Sequence, residues 1–156
     1  MLLFTGTLAV SAPALAESNP ALAKSSKALL GKYPAGRLYK GRRSAVDLRS
    51  HKDARTFSTR LRTAAKNRPN FAGHMIVTSW GCGTACQIIA LIDARTGKVS
   101  FGPTASAGIA HRLTSRLLIV NPPETIAEAY GNKPPGWLKT RYYIWKGERL
   151  VVLKHP

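Results

Sequence analysis

Acidic residues are scarce in this sequence. Only 7 of its 156 residues are Asp or Glu, whereas 24 are Lys or Arg, so the formal net charge is +17 at pH 7. This shortage nearly excludes hydrolytic sites that depend on a pair of carboxylates. Glu124 and Glu128 are one helical turn apart and could share a face, but that spacing is more typical of a solvated helix.

Metal-ligating side chains are equally few. The sequence has two cysteines, Cys82 and Cys86, and four histidines that are scattered along the chain without the spacing of a metal site. A structural zinc site normally needs four ligands. We therefore expect neither a metal nor a cofactor, and we assign no catalytic residue.

Hydrophobic runs of membrane length are also missing after residue 16. The opening stretch, MLLFTGTLAVSAPALAES, has an apolar run followed by Ala14-Leu15-Ala16, the small-x-small pattern that precedes signal cleavage. We predict a signal peptide over residues 1–16, export to the periplasm, and a mature chain without a transmembrane span. No basic residue precedes the apolar run, so an upstream start, a weak signal or a buried N-terminal helix stays open as an alternative.

Positive charge is concentrated in the N-terminal half of the chain. Fourteen basic residues and only two acids lie between Lys24 and Arg68. Residues 17–52 also contain glycines and prolines that interrupt regular structure, which predicts a basic arm that is partly irregular. Charge of this size attracts polyanions. The candidate binding residues of the arm are Arg37, Lys40, Arg42 and Arg43.

Residues 53–156 are predicted to form a single α+β domain. Asp53 is the expected N-cap of the main amphipathic helix, whose apolar stripe contains Phe57 and Leu61. The basic residues off this stripe, typical of a solvated face, are Arg60, Arg62 and Lys66. The segments that follow have strand patterns separated by turn residues. We predict an antiparallel sheet of about five to six strands with the helix packed on one face.

The densest signal is the segment Trp80-Gly81-Cys82-Gly83-Thr84-Ala85-Cys86. In an oxidising compartment, two cysteines this close usually form a disulfide. An extended chain would hold them about 13 Å apart, so a bridge requires a tight turn, which the flanking glycines allow. We favour a structural disulfide. A redox-active pair, or a Cys82 nucleophile with His74 or His111 as its base, stays open.

The runs NFAGHMIVTSWGCGTACQIIALIDARTGKV, SRLLIVNPPE and RYYIWKGERLVVL resemble a family of small exported proteins of Gram-negative bacteria. The resemblance covers about residues 53–153, and its most specific part is the Trp-Gly-Cys-Gly-x-x-Cys segment. It implies one exported α+β domain and carries no established activity. The matching positions are Asn70, Phe71, Gly73, His74, Trp80, Gly81, Cys82, Gly83, Cys86 and Gln87.

These same positions suggest one compact corner around the cysteines. A disulfide-fixed, glycine-rich turn is a rigid platform for recognition, which makes His74, Trp80 and Gln87 further candidate binding residues. The simpler alternative is that the corner only closes the sheet.

Taken together, these features favour a non-enzymatic, exported binding or envelope-associated protein with a basic surface. The expected partner is a macromolecule such as an acidic protein or an anionic envelope polymer. An alternative is a periplasmic thiol-dependent or hydrolytic enzyme that uses Cys82 or His74. Nucleic-acid binding through the arm is a weaker alternative, because no helix-turn-helix, zinc-finger or RRM signature is present.

Overall fold

The computed structural model describes residues 20–156, with side chains from residue 26 onward. The predicted signal peptide, residues 1–16, lies outside the described residues. The predicted α+β class is confirmed, since these residues contain both helices and antiparallel strands. The elements are α1 (Pro20–Gly31), α2 (Ser58–Ala64), β1 (Met75–Gly83), β2 (Cys86–Asp93), β3 (Val99–Phe101), β4 (Ile109–Ala110), β5 (Leu117–Val120), α3 (Pro123–Tyr130), β6 (Arg141–Lys146) and β7 (Arg149–Val152).

The strands form two antiparallel sheets rather than one. The first has the order β1-β2-β3 and the second the order β4-β5-β6-β7, so the predicted sheet of five to six strands matches only approximately. Both hairpins that the turn residues predict are present, β2–β3 around Gly97 and β6–β7 around Gly147. Each of these glycines has a positive φ, as its turn requires.

The two sheets pack face to face. Side chains alternate along each strand, so every second residue of the first sheet meets the second sheet. This inner layer contains Met75, Val77, Ile89 and Leu91 from the first sheet, and Leu118, Val120 and Trp145 from the second. All of them are buried, and they form the centre of the core.

Helices cover the outer faces of both sheets. Ile76, Trp80 and Ile92 point away from the core centre and pack with the α2 residues Leu61 and Ala64. On the opposite side, Leu30 of α1 packs on the outer face of the second sheet with Leu117, Ile119 and Ile144. The result is four layers, in the order α2, first sheet, second sheet, α1. Among the described residues, no helix has both the length and the apolar character of a bilayer span.

The main helix is shorter than its sequence pattern predicts. It covers Ser58–Ala64, with Phe57 rather than Asp53 at the N-cap and no side-chain cap. Residues 51–57 form turns instead, which place the Phe57 ring 5.1 Å from the ring of Trp80. Aromatic packing of Phe57 therefore decides where the helix begins. Asp53 lies 3.7 Å from His51 in the preceding turn.

The predicted arm, residues 17–52, contains α1, which packs on the second sheet. Its residues 37–47 lie on the edge and turns of the first sheet and are bonded to it by backbone groups. The N–H of Tyr39 donates to the C=O of Gly73 at 2.8 Å, and the N–H of Ser44 donates to the C=O of Ala94 at 2.9 Å. The N–H of Asp47 then donates to the C=O of Gly97 at 2.9 Å. Three bonds within nine residues fix the path of this segment without any helix or strand of its own.

Two glycines make this close approach possible. A Cβ atom on Gly73 would lie 2.8 Å from the C=O oxygen of Arg37, and one on Gly97 would overlap the C=O oxygen of Ala45. Both glycines also have positive φ values, 79° and 77°. The arm backbone therefore occupies space that any other residue type would fill.

The glycine contacts predict unequal effects of two similar substitutions. Gly97→Ala and Gly108→Ala both place a Cβ at a positive φ, but the Cβ on Gly108 would meet no atom within 4 Å. We expect Gly108→Ala to lower the free energy of unfolding by about 1 kcal/mol. Gly97→Ala should lower it by about 3 kcal/mol, because the arm must also move. Urea denaturation measures both values. Equal losses would contradict the close packing of the arm backbone on Gly97.

Candidate functional site

Basic residues from the arm and from α2 meet in one groove. We call it the basic groove: its walls are residues 41–46 of the arm and Arg62, Ala65 and Lys66, and its volume is about 890 Å³. Arg42 and Arg43 stand on one wall, and Arg62 and Lys66 stand on the other. Two of the four arm residues predicted as binding candidates therefore lie in a common site.

The arm wall of the groove is held by short polar contacts on either side of the two arginines. Before them, the hydroxyl of Tyr39 donates to the C=O of Arg42 at 2.8 Å. After them, the hydroxyl of Ser44 donates to the C=O of Arg95 at 2.6 Å. The backbone at Arg42 and Arg43 is therefore fixed, while both side chains remain exposed.

The opposite wall follows from the amphipathic pattern of α2. Leu61 and Ala64 are buried against the first sheet, with exposed fractions of 0% and 5%. Arg62 lies on the exposed side of α2, and Lys66 lies in the turn that follows the helix; both line the groove. Burial of the apolar stripe thus directs these two cations toward the arm.

None of the four cations in the groove has an acidic partner within residues 26–156. Three acids of this part of the chain pair with other basic residues: Arg49–Asp47 at 3.7 Å, Arg95–Asp93 at 2.8 Å and Lys98–Glu148 at 3.8 Å. Four exposed cations around a concave surface create a positive potential that attracts polyanions.

The other two arm candidates lie outside the groove. Arg37 and Lys40 line a separate depression together with Leu38 and Tyr39. The C=O of Arg37 is the group that packs against Gly73, so the backbone of this residue also helps to hold the arm on the first sheet. Both side chains are exposed and extend the basic surface on the N-terminal side of Arg42.

Cys82 and Cys86 form a disulfide, as predicted, with their Cα atoms 5.1 Å apart. The bond joins the two strands at the tip of the β1–β2 hairpin, where Thr84 and Ala85 make the turn. Cys82 is exposed, and neither cysteine of the chain is free. Nucleophilic chemistry at Cys82 would therefore require reduction of this bond first.

Trp80 is a packing residue of the α2 layer. Its ring lies 5.1 Å from that of Phe57 and 6.3 Å from that of Phe101, and only 9% of the residue is exposed. The guanidinium of Arg60 sits 5.8 Å from the ring centre, within cation–π range. Trp80 therefore anchors the helix that forms one wall of the groove.

Gln87 contributes mainly through its backbone. Its N–H donates to the C=O of Ala105 at 2.8 Å, and its C=O accepts from the N–H of Ala105 at 3.0 Å. This pairing ties the tip of the β1–β2 hairpin to the loop before β4. The side chain is half-buried.

His74 belongs to a partly buried charged cluster with Asp93 and Arg95. Its Nε2 lies 3.8 Å from Asp93 Oδ2, and Arg95 donates to both carboxylate oxygens of Asp93, at 3.1 and 2.8 Å. Burial, together with the positive charge of Arg95, lowers the pKa of His74, although Asp93 and the Ala72 carbonyl act in the opposite direction. Burial acts to raise the pKa of Asp93, but the bonds from Arg95 outweigh it and the pKa is lowered.

The candidate residues of the cysteine corner do not converge with His74. His74 precedes β1 and Trp80 lies six residues further along the extended chain, a distance of about 20 Å. In residues 26–156 no group of three His, Cys, Asp or Glu side chains is arranged to hold a metal ion. The corner and the cluster are thus separate features.

A second cavity, of about 520 Å³, opens between the sheets near Asp93 and Trp145. Its charged residues are Asp47, Asp93, Arg95, Lys98 and Glu148. Asp93 is bonded by Arg95, and Glu148 lies 3.8 Å from Lys98. Because these charges compensate one another, the cavity lacks the one-sided potential of the basic groove.

Arg62 and Lys66 are the functional candidates that sequence reasoning missed. On a helix of unknown orientation, they have the pattern of a solvated face. The available signal was their proximity in sequence to the basic arm, which does not reveal on which side of the helix the arm lies.

The chain matches no protein-family model, no curated protein and no solved structure.

The histidine environment predicts a pH dependence of stability. Burial lowers the pKa of both His74 and His111 below 6.5, so the folded protein keeps both rings neutral while the unfolded chain binds protons. The stability contribution of the neutral rings should therefore be complete above the unfolded pKa of about 6.5 and should be lost as the pH falls below it through the lowered pKa values of the folded protein. His74→Gln should make this loss smaller.

Denaturant titrations at several pH values measure that slope. His155→Gln, at an exposed residue near the end of the chain, is the matched control and should leave it unchanged. If the His74 variant and the wild type lose stability in parallel between these pH values, His74 is not held neutral in the folded state.

Proposed function

We propose that this protein is an exported, non-enzymatic binding protein of the periplasm that holds an anionic macromolecule in the basic groove. The observation that carries this proposal is the convergence of Arg42, Arg43, Arg62 and Lys66 from two segments, with no acidic partner among the described residues. The rest of the basic surface supplies long-range attraction.

The geometry of the groove favours a polymer over a small anion. The four cations are exposed, and none of them is buried in a closed pocket. An exposed cation contributes little to binding of one small ion, because water and salt screen it. A polyanion contacts several cations at once and releases its counterions, so the contributions add.

Export is supported by two features of the sequence and one of the structure. Residues 1–16 have the pattern of a signal peptide, and residues 53–153 resemble a family of small exported proteins. The Cys82–Cys86 disulfide suits an oxidising compartment.

The enzymatic alternative has less support. Both thiols are in the disulfide, and His74 is partly buried beside Asp93, with no nucleophilic side chain of residues 26–156 bonded to it. Nucleic acid would satisfy the same cations through its phosphates, but export separates the protein from most intracellular nucleic acid. We therefore place acidic envelope components first.

The groove predicts a specific loss of polyanion binding. We expect the double variant Arg42→Gln/Lys66→Gln to bind fluorescent polyglutamate about tenfold or more weakly at low salt, since each cation near an anionic surface contributes about 1 kcal/mol. The matched control is Lys146→Gln/Arg149→Gln, which removes the same charge from the exposed β6–β7 turn and should cost about twofold. Fluorescence anisotropy over a salt series measures both.

Equal losses in the two double variants would show that only net charge matters and would refute the groove. A wild-type affinity that does not change with salt would also contradict polyanion binding. Duplex DNA is measured in parallel. Binding of DNA that exceeds binding of polyglutamate at equal charge would favour the nucleic-acid alternative instead.

A further inference from the structure

Strand β1 is the outer strand of the first sheet, and only half of its free edge is covered. In an antiparallel ladder, successive residues direct their backbone groups alternately toward the neighbouring strand and away from it. The C=O of His74 accepts from the N–H of Ala94, so even-numbered residues of β1 face β2. The odd-numbered residues, Met75, Val77, Ser79 and Gly81, therefore face outward.

The chain itself covers the first two outward positions. The C=O of Met75 accepts from the N–H groups of Asn70 and Phe71, at 2.9 and 3.1 Å. The side-chain amide of Asn70 then imitates a neighbouring strand at Val77: it donates to the C=O at 3.0 Å and accepts from the N–H at 2.7 Å. Asn70 thus closes the edge as far as Val77 and no further.

The next two outward positions are open. Within the described part of the chain, no group bonds to the outward N–H or C=O of Ser79 or Gly81. Both residues are exposed, and a Cβ atom on Gly81 would meet no atom within 4 Å. An uncovered pair of this kind is a template for pairing with another extended chain.

A groove runs beside this open edge, between β1 and α2. It has a volume of about 560 Å³ and is lined by Thr59, Arg60, Thr63, Ala64, Asn67, Thr78, Ser79 and Trp80. Its polar lining consists of hydroxyl and amide groups and one cation, Arg60, and it contains no acid. The walls therefore suit an extended segment that carries negative side chains.

Charge also decides between a foreign segment and a second copy of this chain. Two copies joined edge to edge would bring two α2 helices together, each with the cations of the basic groove. The net charge of +17 on each copy opposes that arrangement. An acidic segment has the opposite charge and adds attraction to the backbone bonds.

We propose that an extended, acidic segment of a partner protein adds to the first sheet as a fourth strand, paired with Ser79 and Gly81, with a carboxylate directed at Arg60. This inference shares with the proposed function only the acidic character of the partner, and it names that partner as protein. It also explains why the edge is closed by Asn70 at one end and left open at the other. Backbone pairing supplies affinity, and the cations supply the preference for acidic side chains.

The test uses a short peptide of alternating glutamate and valine with blocked ends. Its control is the same peptide N-methylated at every residue, which keeps the charge but has no N–H to donate to the edge. We expect the unmodified peptide to bind about tenfold or more tightly, the equivalent of one or two hydrogen bonds. In the complex, hydrogen exchange at the Ser79 and Gly81 amides should slow about tenfold or more, while exchange at Val77 changes little.

Protein variants give an independent check. Ser79→Pro removes the outward N–H and should weaken binding of the unmodified peptide about tenfold, whereas Ser79→Ala keeps the N–H and should bind like the wild type. If Ser79→Pro does not fold, the exchange measurement on the wild-type protein still tests whether the peptide pairs with Ser79 and Gly81. Equal binding of the two peptides without protection at Ser79 and Gly81 would overturn strand addition.

The same experiment separates this inference from the proposed function. Arg42→Gln/Lys66→Gln is measured with both peptides and with polyglutamate. If this variant loses affinity for all three while the edge amides stay unprotected, the basic groove stands and strand addition fails. If edge protection persists and the groove variant binds normally, strand addition stands and the proposed groove fails.

Discussion

The contact between the arm backbone and two glycines is the constraint on which the rest of this structure depends. Gly73 and Gly97 leave space that the C=O groups of Arg37 and Ala45 fill, and three backbone hydrogen bonds then hold residues 39–47 on the first sheet. Because the arm is fixed there, it forms a wall opposite α2. Without this contact, Arg42 and Arg43 would be flexible side chains on an unattached segment, and the basic groove would lack one of its walls. A chain with few acids thus gains a defined binding surface from backbone packing rather than from ion pairs.

Asp93, one of the few acids, stabilises the turn on which the arm lies. Asp93 begins the β2–β3 turn and accepts from the backbone N–H and the guanidinium of Arg95, at 2.9, 3.1 and 2.8 Å. These bonds shape the turn that presents Ala94 and Gly97 to the arm. Such a hydrogen-bonded, largely buried carboxylate contributes more to the stability of the fold than an exposed ion pair does, since surface ion pairs stabilise little. Asp47, Asp53, Asp93 and Glu148 thus lie in or beside turns, and the four cations of the basic groove have no acidic partner among the described residues.

Much of the local structure could be predicted from the sequence, because it is encoded by short-range patterns. The α+β class, the two hairpins around Gly97 and Gly147, the strands other than the short β4 and the Cys82–Cys86 disulfide follow from periodicity, turn residues and spacing. The division into two sheets could not be predicted, because it depends on which strands pair over long distances. The start of α2 at Ser58 was also hidden, since Phe57 packs on residues distant in sequence. For the same reason Arg62 and Lys66 became candidates only when the arm was located beside them.

Amide hydrogen exchange along the arm tests the central claim most directly. The N–H groups of Tyr39, Ser44 and Asp47 donate to the first sheet, so their opening requires the arm to leave it. We predict that these three amides exchange with protection comparable to that of the β1 amides that bond to β2, and that the intervening arm amides without partners exchange faster. Exchange of all three at the rate of an unstructured chain would contradict this account. It would show that the arm is detached from the first sheet in solution and that the basic groove is not a fixed feature of the protein.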